Sequence, residues 1–349
     1  MSSNRRPTMK DVAKHAKVSV STVSYVLNNN GPVADDRRAR ILESMRVLHY
    51  EPNESARNLK RRSASAIGLV VPDLGNQFFA LLAKGVERAA SQQDVLVVLC
   101  NPETSEEAEL SNARLLRSQR VDGVVYLTGF DESPASLIEL TKIGPVVLVD
   151  ERVPGLNLPS VLSEARRGAR EIASHVFDNG HKNVAVISGP TALWTSEQRL
   201  AGYREACAGA GLDPDKLKVV AGDYRMHSGA ILAEKLLSVS KAKRPTALLC
   251  ANDLMAIGAI EYCKSAGLSV PEDVSIVGFD DIPIAGLLTP RLSTVRQPAE
   301  EMGFQAATLL INMIKVARGE EGVEKLPSQT LVPVEVVIRD SVCPPSKAK

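Results

Sequence analysis

The chain has 349 residues, 44% of them apolar and 24% charged, with a net charge of +1. That composition fits a soluble globular protein of two or three domains, and no run approaches the roughly 18 apolar residues a membrane span needs. Residues 1–12 carry two arginines with no apolar block behind them, and the five cysteines (Cys100, Cys207, Cys250, Cys263, Cys343) form no C-x-x-C pair, so a cytoplasmic protein is expected, without a secretory signal, a disulfide framework or a zinc site.

The charge is unevenly placed. Residues 1–62 hold 13 Lys+Arg against 6 Asp+Glu, and the rest holds 29 against 35. A basic head on a mildly acidic body predicts that the head meets a polyanion.

Residues 8–50 read as three short helices. Thr8 with Asp11 three positions on is a capping-box variant, and Val12, Ala13 and Ala16 give the first helix an apolar face. Ser19 caps a second helix in which Val23, Val26 and Leu27 face inward, leaving Val20, Ser21, Thr22, Ser24, Tyr25 and Asn28 on the outer side. After a loop at Asn28–Pro32, a third helix runs from about Asp35 to Leu48 with Ile41, Leu42, Met45 and Leu48 as its core stripe. Two short helices on a tight turn, the second polar outward, make a helix-turn-helix whose second helix enters the DNA major groove.

The run TMKDVAKHAKVSVSTVSYVLNNNGPVADDRRARILESMRVLHYEPN, residues 8–53, resembles without gaps the DNA-binding head of the LacI/GalR family of bacterial transcription regulators. The resemblance implies base contacts from Val20, Ser21 and Tyr25, and phosphate contacts from Thr8, Ser19, Thr22, Ser24, Asn28, Tyr50 and Asn53. Three departures stand out. Tyr25 replaces an Arg that many members carry, Lys17 replaces the turn Gly, and Ala34 replaces the Ser that caps the third helix. The Tyr alters what is read at one base pair, since Arg can grip guanine with two bonds and Tyr cannot.

Residues 53–65 are small and basic with one large apolar side chain, Leu59. So short a helix is marginal alone. The resemblance implies a hinge that folds on DNA in a dimer. Leu59 would wedge between base pairs in the minor groove, Ala56 would pack on its mate or the groove wall, and Lys60 would meet phosphate.

From residue 66 short apolar runs alternate with helical stretches: 66–71, 95–100, 123–127, 146–149, 184–188, 219–221, 247–250 and 274–278. This predicts an α/β body of parallel sheets covered by helices. The resemblance implies a periplasmic-binding-protein-like body of two lobes. The expected organisation is a head at 1–52, a hinge and linker at 53–65, and a body at 66–345. Lobe 1 covers about 66–165 and 297–328, and lobe 2 about 166–296 and 329–342.

Polar residues follow the strands: Asp73, Asn76, Asn101, Asp150, Asp223, Asn252-Asp253 and Asp280-Asp281. In open parallel sheets the ligand crevice lies at the carboxyl ends of strands, though an Asp there also serves as a turn or helix cap. The resemblance implies effector contacts from Asp150, Arg199, Asn252 and Asp280, with Thr195, Tyr224, Phe78 and Phe79 lining the cleft beside Asn76. Arg199 and Asp280 are expected to pair across its floor. Members carry Asp-Asn near Ser163-Glu164-Ala165, and Ala165 at the Asn position removes a polar contact. The lone Trp194 is either a lid contact or core.

No G-x-S-x-G, Walker, H-E-x-x-H or G-x-G-x-x-G pattern is present in the body, so no enzyme, metal or cofactor is expected. The predicted function is a repressor acting as a homodimer on a pseudo-palindromic double-stranded DNA operator in the bacterial nucleoid. A small-molecule effector between the lobes, a sugar or sugar derivative, controls it. The alternatives are a purine- or nucleoside-responsive corepressor-type regulator and a solute-binding protein without regulatory role. The tail after Asp340 has no leucine heptads, so a dimer and not a tail-zippered tetramer is expected.

Overall fold

A computed structural model describes residues 7–28, 33–50, 66–101, 106–118, 121–127, 134–153, 155–324 and 327–346 (backbone only at 28, 106–109 and 134). The chain divides into two compact units, residues 1–63 and 64–349.

The first unit contains α1 (Met9–Ala16), α2 (Val20–Asn28) and α3 (Asp35–Val47). The Thr8 amide donates to Asp11 Oδ2 at 2.8 Å, and Ser19 Oγ accepts the Thr22 amide at 3.1 Å, so both helices start where the capping signals put them. Lys17 ends α1 with φ 53° and ψ 48°. A glycine would take this left-handed geometry without steric cost, whereas a side chain costs roughly 1–2 kcal/mol. Ala34 gives α3 no side-chain cap, which leaves its first turn to Asp35 and Asp36.

Val12, Val23 and Ile41 are fully buried at the centre of this three-helix core. The expected stripe of α3 needs one correction. Leu42 is 52% exposed, and Ser44 turns inward instead. Leu42 lies about 100° round the helix from Ile41, outside the inward arc. The Ser44 hydroxyl is satisfied there, donating to Arg40 O at 2.7 Å and lying 3.0 Å from His15 Nδ1.

The second unit is built on two parallel sheets. The first holds β1 (Ala66–Val70), β2 (Leu96–Cys100), β3 (Val124–Tyr126), β4 (Val146–Val149), β5 (Ser160–Ser163) and β11 (Gln329–Val332), in the order β11-β5-β4-β3-β1-β2. The second holds β6 (Val184–Ser188), β7 (Lys218–Ala221), β8 (Ala247–Cys250) and β9 (Ser275–Val277), in the order β7-β6-β8-β9. An antiparallel pair, β10 (Thr294–Arg296) with β12 (Glu335–Val337), lies alongside.

The helices of the first lobe are α4 (Gln77–Ser91), α5 (Glu106–Ser118), α6 (Pro134–Thr141) and α11 (Ala299–Ala317). Those of the second are α7 (Ala165–Asp178), α8 (Trp194–Gly209), α9 (Met226–Leu237) and α10 (Asp253–Ser265). Backbones of α4 and α11 meet through Gly85 and Gly303. A Cβ on Gly85 would lie 1.9 Å from Glu300 O, and one on Gly303 2.1 Å from Leu82 O.

The chain passes between the lobes at 163–165, 297–298 and 333–334, between elements of the two sheets. One expected boundary is corrected. Gln329–Val332 pairs with β5 in the first sheet, so the last passage comes after Val332 and not before residue 329. An edge strand with one buried residue of four carries too little apolar signal to assign it from sequence.

Candidate functional site

On the head, α2 presents the expected outer face. Tyr25 is 53% exposed, and Val20 and Ser21 lie open beside it. Ser19 Oγ lies 2.7 Å from Ser21 Oγ and 2.7 Å from Thr22 Oγ1, so three hydroxyls cluster at the helix N-terminus. Hydroxyls at the positive end of a helix suit phosphate oxygens and base edges. Thr8 and Ser24 are half-buried, and Tyr50 packs against the head core. The Thr8 hydroxyl donates to Asp11 Oδ2 at 2.6 Å. The Asn28 side chain and all of Asn53, Ala56, Leu59 and Lys60 lie outside the described residues.

In the body, all nine cleft residues line one cavity of about 50 Å³. Topology brings them together at the carboxyl ends of parallel strands. Asn76 caps α4 behind β1, its Oδ1 accepting the Phe78 amide at 3.0 Å. Phe78 and Phe79 form the first turn of α4 with their rings edge to face at 5.5 Å. Asp150 follows β4, Tyr224 follows β7 and Asp280 follows β9. Thr195 and Arg199 sit one turn apart at the start of α8.

Arg199 is the electrostatic centre. It is 3% exposed, with Nη2 3.4 Å from Asp280 Oδ1, Nη1 donating to Ala251 O, and its guanidinium over the Phe279 ring at 4.1 Å and the Tyr224 ring at 5.6 Å. Burial works against its charge, but Asp280 and the other acidic groups around it hold it firmly protonated. Burial pushes the Asp280 carboxyl up to about 6, with Arg199 and the Gln297 hydrogen bond pulling it back. Asp150 is driven well above the usual carboxylate range by burial, with Arg199 opposing and the Asp280 and Glu151 charges adding to the rise. Two buried polar atoms here, Asp150 Oδ1 and Arg199 Nε, have no hydrogen-bond partner among the described residues. Asp150, Tyr224 and Asp280 all hold positive φ, at 60°, 67° and 112°. Such backbone strain at three non-glycine residues of one cavity is typical of functional sites.

Other strand-end residues do not join the cavity. Asp73 and Asp223 accept the amides of Gly75 and Arg225 at 2.7 and 2.9 Å, as turn residues do. The Asn101 side-chain amide lies against the Val71 and Pro72 carbonyls. Asp253 takes the Ile282 amide and the Thr294 hydroxyl. Asp281 faces away from Asp280 and pairs with Arg296 and Arg339 at 2.8 and 2.6 Å. Asn252 lines the cavity but caps α10, its Oδ1 accepting the Met255 amide at 2.9 Å and its Nδ2 donating to Tyr224 O at 2.8 Å. Ala165 and Trp194 line a separate cavity and not the cleft.

Sequence reasoning missed Glu151, Leu127, Val149 and Leu193, which complete the lining. Glu151 is buried and accepts the Thr195 amide at 3.0 Å and the Thr195 hydroxyl at 2.7 Å. Its position next to Asp150 was the available signal, whereas the three apolar residues look like any strand end. Gln297, in the second passage between lobes, was also missed; its Nε2 donates to Asp280 Oδ1 at 2.8 Å.

Residues 8–53 match the model of bacterial regulatory proteins, lacI family, and residues 173–342 match a periplasmic binding protein-like domain. The chain is similar to the HTH-type transcriptional repressor PurR of Aliivibrio fischeri (strain MJ11), with 34% identity over 96% of this chain and 98% of that protein. It is 35% identical to the ribose operon repressor of Halalkalibacterium halodurans over 96% of each. Its structure resembles that of the lac repressor dimer bound to operator and the anti-inducer ONPF, with a TM-score of 0.82 and 26% identity over 97% of this chain and 100% of that one. No helix among the described residues is long and apolar enough to cross a membrane.

Proposed function

The chain belongs to the lacI family of bacterial regulatory proteins, and from that premise we propose a cytoplasmic homodimeric repressor that binds a pseudo-palindromic operator and answers to a small molecule held between its lobes. The supporting observation is the buried pair of unpartnered atoms, Asp150 Oδ1 and Arg199 Nε, in one cavity. An orphaned buried polar atom costs about 1–3 kcal/mol. A ligand that supplies hydrogen bonds to both recovers that cost on binding. A polyhydroxylated sugar or sugar derivative does so, with its C–H faces against Phe78, Phe79 or Tyr224. The same aromatic side chains favour a second reading, a purine or nucleoside stacked between them. Neither reading includes a catalytic step.

The coupling route runs through Gln297. It holds Asp280 from inside a passage between the lobes, so a ligand that moves Asp280 pulls on the segment about which the lobes turn. Effector binding then changes operator affinity by its differential affinity for the two lobe arrangements. Exposed apolar side chains on the edge strand β2 (Leu96 and Leu99), together with Leu287 at 82% exposure, supply faces for the partner subunit.

The test is operator selection with the full chain, followed by titration of the selected duplex against a panel of pentoses, hexoses, nucleosides and nucleobases. The reading expects one class to shift operator affinity, and expects Asp280→Asn to abolish the shift while DNA binding persists. A chain that holds its operator equally with every compound, or a variant that still responds normally, refutes it.

A further inference from the structure

A second cavity, of about 430 Å³, lies beside the first passage between the lobes and shares no lining residue with the cleft. Its walls come from both lobes: Ser163 of β5 and Leu331 of β11 on one side, Arg170 of α7 with Trp194 and Gln198 of α8 on the other. Its volume falls in the range of small-molecule sites.

Four features lie along its wall. Ser163 is 1% exposed, and its Oγ has no hydrogen-bond partner among the described residues. A hydroxyl left unmatched in an interior is costly unless a ligand answers it. Directly after it, α7 starts without a side-chain cap, because Glu164 spends its carboxylate on Arg167 at 2.8 Å. The first turn of this 14-residue helix lines the cavity, which sets the positive end of its dipole at the wall. Arg166 is paired with Glu205, and Arg167 with Glu164 and Glu171. Arg170 on the same helix is exposed, with no partner among the described residues. The half-buried Trp194 and the exposed Leu331 supply an apolar wall.

We propose that this cavity is a second small-molecule site, which takes a monoanionic carboxylate carrying a planar apolar body. The carboxylate meets Arg170, Ser163 Oγ and the α7 amides, and the body lies on Trp194 and Leu331. The charge count selects a monoanion. Arg166 and Arg167 are taken up by Glu205, Glu164 and Glu171, and Arg170 is the one arginine of the wall without a carboxylate partner among the described residues, so a single carboxylate answers it. Because the walls belong to both lobes, an occupant favours one lobe arrangement. Trp194 and Thr195 are consecutive on α8 yet face the two different cavities, so the second site adjoins the effector cleft without being part of it.

Trp194 is the only tryptophan in the chain, so tryptophan emission of the full-length protein reports this site directly. Titration with benzoate is expected to change that emission saturably. Arg170→Gln should weaken the apparent affinity by about tenfold or more, the scale of one charge-assisted hydrogen bond. Ser163→Ala, which removes only an unmatched hydroxyl and leaves the fold intact, should weaken it by less. Asp280→Asn, in the other cavity, should keep a saturable response, and saturating benzoate should shift operator affinity in the native chain and not in Arg170→Gln. No saturable response, an undiminished response in Arg170→Gln, or loss of the response in Asp280→Asn overturns the site. A response to inorganic phosphate in place of benzoate overturns the ligand class. Binding that leaves operator affinity untouched overturns the regulatory role.

Discussion

Replacing Arg199 with Met isolates the energetics of the cleft. The guanidinium is buried against Asp280, and the Asp280 carboxyl titrates at about 6 with Arg199 pulling it down. Raised from an ordinary 3.8, this carboxyl adds stability below its unfolded value that is lost as pH rises through the folded one. Met keeps the volume and removes the counter-charge, so in the variant the folded value rises further and the loss continues past pH 6. At pH 5.5 both chains keep Asp280 largely protonated, and the difference is a packing and hydrogen-bond term of about 1 kcal/mol. Above about pH 6, where the native carboxyl ionises, the gap widens by up to about 1.4 kcal/mol per pH unit. It reaches roughly 3–5 kcal/mol near pH 8.5, the usual cost of stranding one partner of a buried ion pair. Urea unfolding of the full chain, followed by Trp194 emission at pH 5.5, 7 and 8.5, measures this directly. A destabilisation equal at all three pH values would refute the reasoning, because Asp280 would then not be the group that loses its partner.

Other outcomes follow from the same geometry. Lys17→Gly relieves a left-handed residue at the end of α1 and should stabilise the head by about 1 kcal/mol; slower amide exchange across α1 and α2 would show it, and unchanged or faster exchange would contradict it. Gly85→Ala places a Cβ 1.9 Å from Glu300 O, so α4 and α11 must separate at a cost of about 2–3 kcal/mol; a melting temperature within a degree of the native chain's would show that the helices give way freely. Tyr25→Arg exchanges one exposed hydroxyl for a two-pronged donor, and binding-site selection should then enrich guanine at one symmetric pair of operator positions; an unchanged preferred site would remove Tyr25 from base reading. Operator affinity should fall steeply between 50 and 200 mM salt, roughly as the number of phosphates neutralised, and a shallow slope would count against a head working through phosphate.

The head was legible because each signal was local. Capping pairs such as Thr8 with Asp11, and apolar spacing such as Val23 with Val26, act within one or two turns. Leu42 was misplaced where the spacing allowed either neighbour of Ile41 inside and a satisfied Ser44 took the room. In the body, residues such as Val146–Val149 announced buried strands, whereas β10 and β12 have three residues each and β11 is a half-exposed edge. Asn76, Asp150, Asn252 and Asp280 could be gathered because chemistry at parallel strand ends converges, whereas Phe78, Phe79, Thr195, Arg199 and Tyr224 came from the family resemblance. The resemblance singled out Asp280 and Asp150; the residues alone do not show that Asp281 is held by Arg296 and Arg339, or that Asp73 is spent on its own turn. The first depends on residues far away in the chain, such as Arg339.

The tightness of the cleft has a kinetic consequence. At about 50 Å³ the space holds a few water molecules at most, far short of the roughly 300–1,000 Å³ of small-molecule pockets. Capture must therefore wait for the lobes to part or the rings to swing aside. Observed association rates should climb with ligand concentration and then level off at the frequency of that opening, a plateau set by the protein and shared by every compound that fits.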